Sequence, residues 1–142
     1  MTDAPRAAAS TKIVLAVRDD LELWQKLNVA AFLPSGLGTI AAELVGEPYR
    51  DHDGNEYPPM LAHPVRVFVG DNRGLRRAFD RALSRGLLVS VYTDEMFATM
   101  NDNDNRAAVA GVGVADLSIA GFAAAGDAKL VDKAFDKLKL HS

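Results

Sequence analysis

Apolar residues fall into short runs separated by helical-period stretches, and this alternation organises the chain. Residues 12–18 (K-I-V-L-A-V-R) form an almost continuous β-branched run ending in Arg18-Asp19-Asp20, the pattern of a strand covered on both faces. Residues 21–33 follow with Leu23, Leu27, Ala30 and Ala31 at helical spacing. Pro34, Gly36 and Gly38 predict an interruption, after which residues 39–45 read as a second helix stopped by Gly46. Residues 65–70, 87–92 and 117–125 give three further strands. Between them lie a helix over 72–85 capped by Asp71 and a mixed stretch over 96–112. Asp127 caps a final helix over 128–140, whose stripe is Leu130, Val131, Ala134, Phe135 and Leu138.

Strands alternating with helices predict an α/β domain: a mainly parallel sheet with helices on both faces. In such folds ligands bind beyond the carboxyl ends of the strands. That rule selects Arg18, Asp19 and Asp20 after the first strand, and Thr93, Asp94 and Glu95 after the third.

The stretch 46–64 is the least regular and holds four of the six prolines. Asp53-Gly54 between Tyr49 and Tyr57 predicts a hairpin turn, since glycine tolerates positive φ. Residues 1–11 are small and polar and read as a leader, leaving one domain over 12–142.

Composition narrows the function classes. The 142 residues are 49% apolar and contain no cysteine, which removes disulfides, thiolate nucleophiles and cysteine-based metal sites. A net charge of −3 argues against strong attraction of the whole chain to nucleic acid or anionic lipid. No window reaches the length of a membrane-spanning helix, so no membrane partner is expected and the default location is the cytoplasm.

Several motifs fail on context. Gly36-Leu37-Gly38-Thr39-Ile40-Ala41 matches a relaxed dinucleotide fingerprint but follows a helical stretch, and reads as a corner between helices. No serine sits in a nucleophile elbow, and His52, His63 and His141 lack metal-ligand spacing. The acidic segments 51–56 and 101–106 lack the glycine and glutamate of a calcium loop and read as polar turns. No motif requires a cofactor or a metal.

Arg73, Arg77, Arg81 and Arg85, with Arg76 beside them, make a basic stripe on the helix over 72–85. It is either a phosphate or RNA contact or a solvated face balanced by Asp71 and Asp80. The cluster able to carry chemistry is Asp20, Lys26, Asn28, Thr93 and Asp94, with Arg18 at the strand exit. A lysine near a carboxylate binds an anionic group or stabilises a developing oxyanion, and the carboxylate activates water. In the plainer alternative Asp20 caps the first helix and Lys26 is solvated.

The opening K-I-V-L-A-V-R-D-D-L resembles the type-II peptidyl-tRNA hydrolases, which read K-x-V-x-V-V-R-x-D-L; the segment 126–140 resembles that family's last helix. The middle, from Q-K-L-N-V-A-A-F-L to V-Y-T-D-E-M-F-A-T, is closer to a family known only as a domain of unknown function that shares the type-II hydrolase fold. This second similarity spans nearly all of residues 12–140. The resemblance implies a three-layer α/β/α sandwich whose sheet has four strands, mixed but mainly parallel, with the last strand antiparallel to the others. It places the hydrolases' Gly-Lys on Gln25-Lys26 and their acidic residue on Asp94. Their histidine falls near Leu33 and has no counterpart, and their Thr-Gln pair is replaced in E-M-F-A-T-M-N-D.

Two functions are therefore expected in competition. One is a hydrolase-like protein acting on an acyl ester or amide of a small or nucleotide-linked substrate. Lys26, Asp94 and Asp20 would be catalytic, and Asn28, Thr93 and Arg18 would bind the ligand. The other is a non-catalytic binding or regulatory module for a small anionic or acylated ligand. RNA contact through the arginine stripe and assembly as a homodimer stay open.

Overall fold

The computed structural model describes residues 10–142; the leader expected over residues 1–11 lies outside the described residues except for Ser10 and Thr11. Thr11 already belongs to the first strand, and the Ser10 carbonyl accepts from Ala128 N at 2.9 Å.

Strand β1 (Thr11–Arg18) is buried on both faces, as its apolar run predicts. Ile13, Leu15 and Val17 point to one layer, Val14 and Ala16 to the other. Beside it lie β4 (Val65–Gly70), β5 (Leu88–Thr93), β6 (Ile119–Asp127) and a short tail strand β7 (Lys139–Leu140), in the order β5-β6-β1-β4-β7. Helix α1 (Leu23–Ile40) covers one face, and α2 (Asn72–Ser84) and α4 (Ala128–Phe135) cover the other. The three layers match the expectation.

The strand count and the predominance of parallel pairing do not. Among the described residues the sheet has five strands rather than four, because the chain beyond α4 turns back instead of continuing as helix to residue 140. Leu138 N bonds to Phe135 O, and β7 (Lys139–Leu140) pairs antiparallel with Phe68 and Val69. Leu138 still packs on the core from this turn, so the apolar stripe is satisfied without the helix. Although β1, β4 and β5 share a direction, among the described residues only the β1–β4 ladder is parallel; β6 separates β1 from β5 and makes antiparallel ladders with both.

Helix α1 departs furthest from expectation. It runs through Pro34, Gly36 and Gly38 as one element of 18 residues, so no corner forms at the glycines. Proline removes one helical donor, but Val29, Leu33 and Leu37 lie fully against the sheet on either side of it. Ser90 Oγ donates to Leu33 O at 2.8 Å, and Gly36 lets that serine approach: an added Cβ would stand 3.3 Å from Ser90 Cβ. The expected stripe through Leu23 and Leu27 faces solvent, because α1 is apolar on several sides and the sheet selects the other series. The helix cap is also displaced. Glu22, not Asp20, is the N-cap, in a capping box with Gln25.

The hairpin forms where predicted, with β2 (Tyr49–Arg50) paired to β3 (Glu56–Tyr57) and Gly54 at φ +89°. Asp51 organises its turn by accepting from Asn55 and from the Tyr57 hydroxyl at 2.7 Å. Residues 101–106 are not a turn. Asn101 caps α3 (Asp102–Ala110) by accepting from Asp104 N at 2.8 Å, and Arg106 pairs with Asp102 one turn back.

Candidate functional site

Two regions collect the polar groups. The first is the carboxyl end of the sheet. Arg18 leaves β1 and reaches across β6 to Asp94, which immediately follows β5. Its two terminal nitrogens bond the two Asp94 oxygens at 2.9 and 2.8 Å, its Nε bonds Asp20 at 2.6 Å, and Nη1 also donates to Ile119 O. Ser118 Oγ donates to Asp94 as well. Burial pushes the Asp94 carboxyl up, but the hydrogen bonds from Arg18 and Ser118 outweigh it and leave the group below the ordinary carboxylate value. The same Asp94 hydrogen bond holds the Arg18 proton more tightly than usual.

Arg18, Asp20 and Asp94 are thus brought together as a mutually satisfied cluster. Lys26 stands elsewhere. Its ammonium lies 3.0 Å from His141 Nε2, and His141 follows β7, its backbone nitrogen bonded to Val67 O. That is the margin of the sheet opposite β5, and among the described residues no ion pair joins Lys26 to Asp94. Thr93 is 1% exposed and its hydroxyl has no partner among the described residues, so it faces the interior and not the strand-end surface.

The second region was not legible as a site. Between α1, β5 and α3 opens a cleft of about 540 Å³, walled by Phe32, Leu33, Tyr92, Met96 and Val109, with Ser35, Asn105 and Arg106 among its lining polar groups. A neighbouring cleft of about 340 Å³ shares Phe32, Tyr92, Met96 and Asn105 and adds Asn28. Aromatic contacts stiffen this wall: Tyr92 lies 4.9 Å from Phe97 and 6.0 Å from Phe32, and Trp24 meets Phe97 edge-on at 5.7 Å. Burial raises the Tyr92 hydroxyl above its ordinary value, so it stays protonated. The available signal was Phe32, a large apolar residue off the buried series Val29, Leu33 and Leu37.

The arginine stripe on α2 is divided. Arg76 donates to the carbonyls of Val114 and Leu117 and pairs with Asp80 at 3.2 Å, and Arg81 donates to Ala134 O at 2.9 Å. Arg73 and Arg77 are left exposed.

A family model described as a protein of unknown function (DUF2000) matches residues 11–142. The chain belongs to the DUF2000 family. That match takes in β1, both clefts and the tail strand β7. A solved structure of a protein of unknown function from Agrobacterium tumefaciens strain C58 is similar, at 43% identity and a TM-score of 0.88, covering 93% of this chain and 98% of that one. No curated protein matches the sequence. Membership of DUF2000 assigns no reaction, so function rests on the site itself. Among the described residues no helix is long and apolar enough to cross a membrane.

Proposed function

We propose that this DUF2000 chain is a binding module for a small, largely apolar molecule carrying a hydrogen-bonding end, held in the α1–β5–α3 cleft. The observation that supports it is the cleft itself. A space of about 540 Å³ with aromatic and aliphatic walls and a few polar groups has the size and chemistry of a small-molecule site. Ser35, Asn105 and Arg106 orient the polar end, and Phe32, Leu33 and Met96 take the apolar body.

Hydrolysis at the strand ends has weaker support. In that reading Lys26 polarises an acyl ester or amide and Asp94, with Asp20, activates water. A general base needs a free oxygen, yet both Asp94 oxygens accept from Arg18, and Lys26 meets His141 instead. The type-II hydrolase kinship stays a proposal, supported by β6 running antiparallel to β1, β4 and β5.

Thermal shift against hexanoate, hexanamide, phenylpropionate and N-acetyl-valyl-leucine methylamide tests the binding reading. A ligand of the folded state raises the melting temperature with concentration. Ala110 lines the cleft and is exposed, so Ala110→Trp should fill the space, leave the fold intact and abolish the shift. Equal shifts in both proteins, or none with any compound, would overturn the reading. Turnover of p-nitrophenyl esters that disappears in Lys26→Ala would favour hydrolysis.

A further inference from the structure

The cleft has a backbone feature that narrows its ligand class. Among the described residues strand β5 is the margin of the sheet and pairs only with β6. Antiparallel ladders alternate between pairs that exchange both backbone bonds and pairs that exchange none. Ala128 N donates to Ser10 O where the β1–β6 ladder begins, so Lys12/Gly126, Val14/Ala124 and Ala16/Phe122 are the exchanging pairs there. The groups of Ala125, Ala123 and Gly121 therefore turn towards β5, where they meet Leu88, Ser90 and Tyr92. Asp94 N, bonded to Ser118 O, keeps the same parity. Val89 and Val91 are left with N–H and C=O directed away from the sheet, and no turn, cap or side chain among the described residues takes them up.

Val91 lines the cleft. An open strand edge thus lies along an apolar space, flanked by α1 and α3. A fatty chain or a simple carboxylate leaves one member of the Val91 donor–acceptor pair without a partner, which costs free energy once water is displaced. A residue of an extended peptide satisfies both at once, because its own N–H and C=O project on the same side. Asn105 adds a further donor: its oxygen accepts from Thr99, while its amide nitrogen has no partner among the described residues.

We infer that the ligand of this cleft is a short apolar peptide segment, bound extended along β5 through the Val91 N–H and C=O with a side chain against Phe32 and Leu33. This rests on the binding reading above. The space, closed by α1 and α3, suits two or three residues and not the six-residue strand of a second copy.

The experiment uses the full-length, ¹⁵N-labelled chain. The probes are N-acetyl-valyl-leucine methylamide, its analogue with the leucine N–H replaced by an ester oxygen, and hexanoate. Binding of the peptide should shift Tyr92 and Asn105 resonances and slow exchange of the Val91 amide at least tenfold. The ester should bind about five- to tenfold more weakly, as loss of one hydrogen bond requires. If peptide and ester bind alike with Val91 exchange unchanged, or hexanoate binds and the peptide does not, the peptide inference falls and the cleft reading survives. If no probe moves Tyr92 or Asn105, both fall. Protection of Val91 in the free chain that rises with protein concentration would show a second copy on this edge and overturn the inference.

Discussion

Arg18 and Asp94 face each other across the end of β6, joined by two hydrogen bonds of 2.9 and 2.8 Å. A planar guanidinium fits a carboxylate in this forked way, and the pair ties the end of β1 to the end of β5, which share no ladder. Removing one partner strands the other. Arg18→Leu should cost about 2 kcal/mol, less than for a fully buried pair because the Asp94 side chain is 34% exposed. A lower urea midpoint with an unchanged slope would show it.

The same pair sets an acid limb. The folded Asp94 carboxyl titrates below its ordinary value of 3.8, so its contribution is complete above that value and is lost as pH falls through the folded one. Asp94→Asn removes this dependence. The melting temperature of the native chain should therefore fall more steeply than that of the variant as pH is lowered from about 5 through 3.8 and below. Parallel acid limbs would contradict the assignment.

Asp51 offers an independent titration. Hydrogen bonds from the Asn55 side chain and the Tyr57 hydroxyl lower its carboxyl to about 2. Tyr57→Phe deletes the bond of 2.7 Å and should raise the Asp51 midpoint towards 3.8, read by carboxyl carbon shifts in a pH series.

Gly121 lets Val29 of α1 pack directly on the sheet. A Cβ there would stand 2.6 Å from Val29 Cγ1 and 2.8 Å from the Ala16 carbonyl oxygen. Gly121→Ala should destabilise by about 2–3 kcal/mol. Adding Val29→Ala should not restore stability, since the backbone oxygen stays in place. A wild-type melting temperature for Gly121→Ala would contradict this packing.

Pro34 gives a change of opposite sign. Its ring denies a donor to the helix that continues past it, and Pro34→Ala restores that bond. After allowance for the greater freedom of the unfolded chain, stability should rise by about 2 kcal/mol, seen as a higher urea midpoint.

The four long strands, β1, β4, β5 and β6, were readable because each is a local pattern. The run through Ile13–Val17 could be satisfied only by cover on both faces, and the caps at Asp71 and Asp127 and the turn at Gly54 act within a few residues. The clefts were not readable, since Phe32, Tyr92 and Asn105 come from three elements and meet only after α1 and α3 dock beside β5. Arg18 and Asp94 were each singled out from strand-end position, but their bond to one another depends on β6 inserting between β1 and β5.

Local chemistry along the chain was enough to specify a layered α/β domain with charged residues at its strand exits. Long-range packing decided the rest. It carried α1 through its proline, because burying Val29, Leu33 and Leu37 outweighs one missing helical bond. It folded the tail back as β7, drew Lys26 to His141, and left the Val91 edge open beside an apolar cleft. Partners of that kind lie far apart in sequence, and which of them meet is set by sheet order, a property no local pattern encodes.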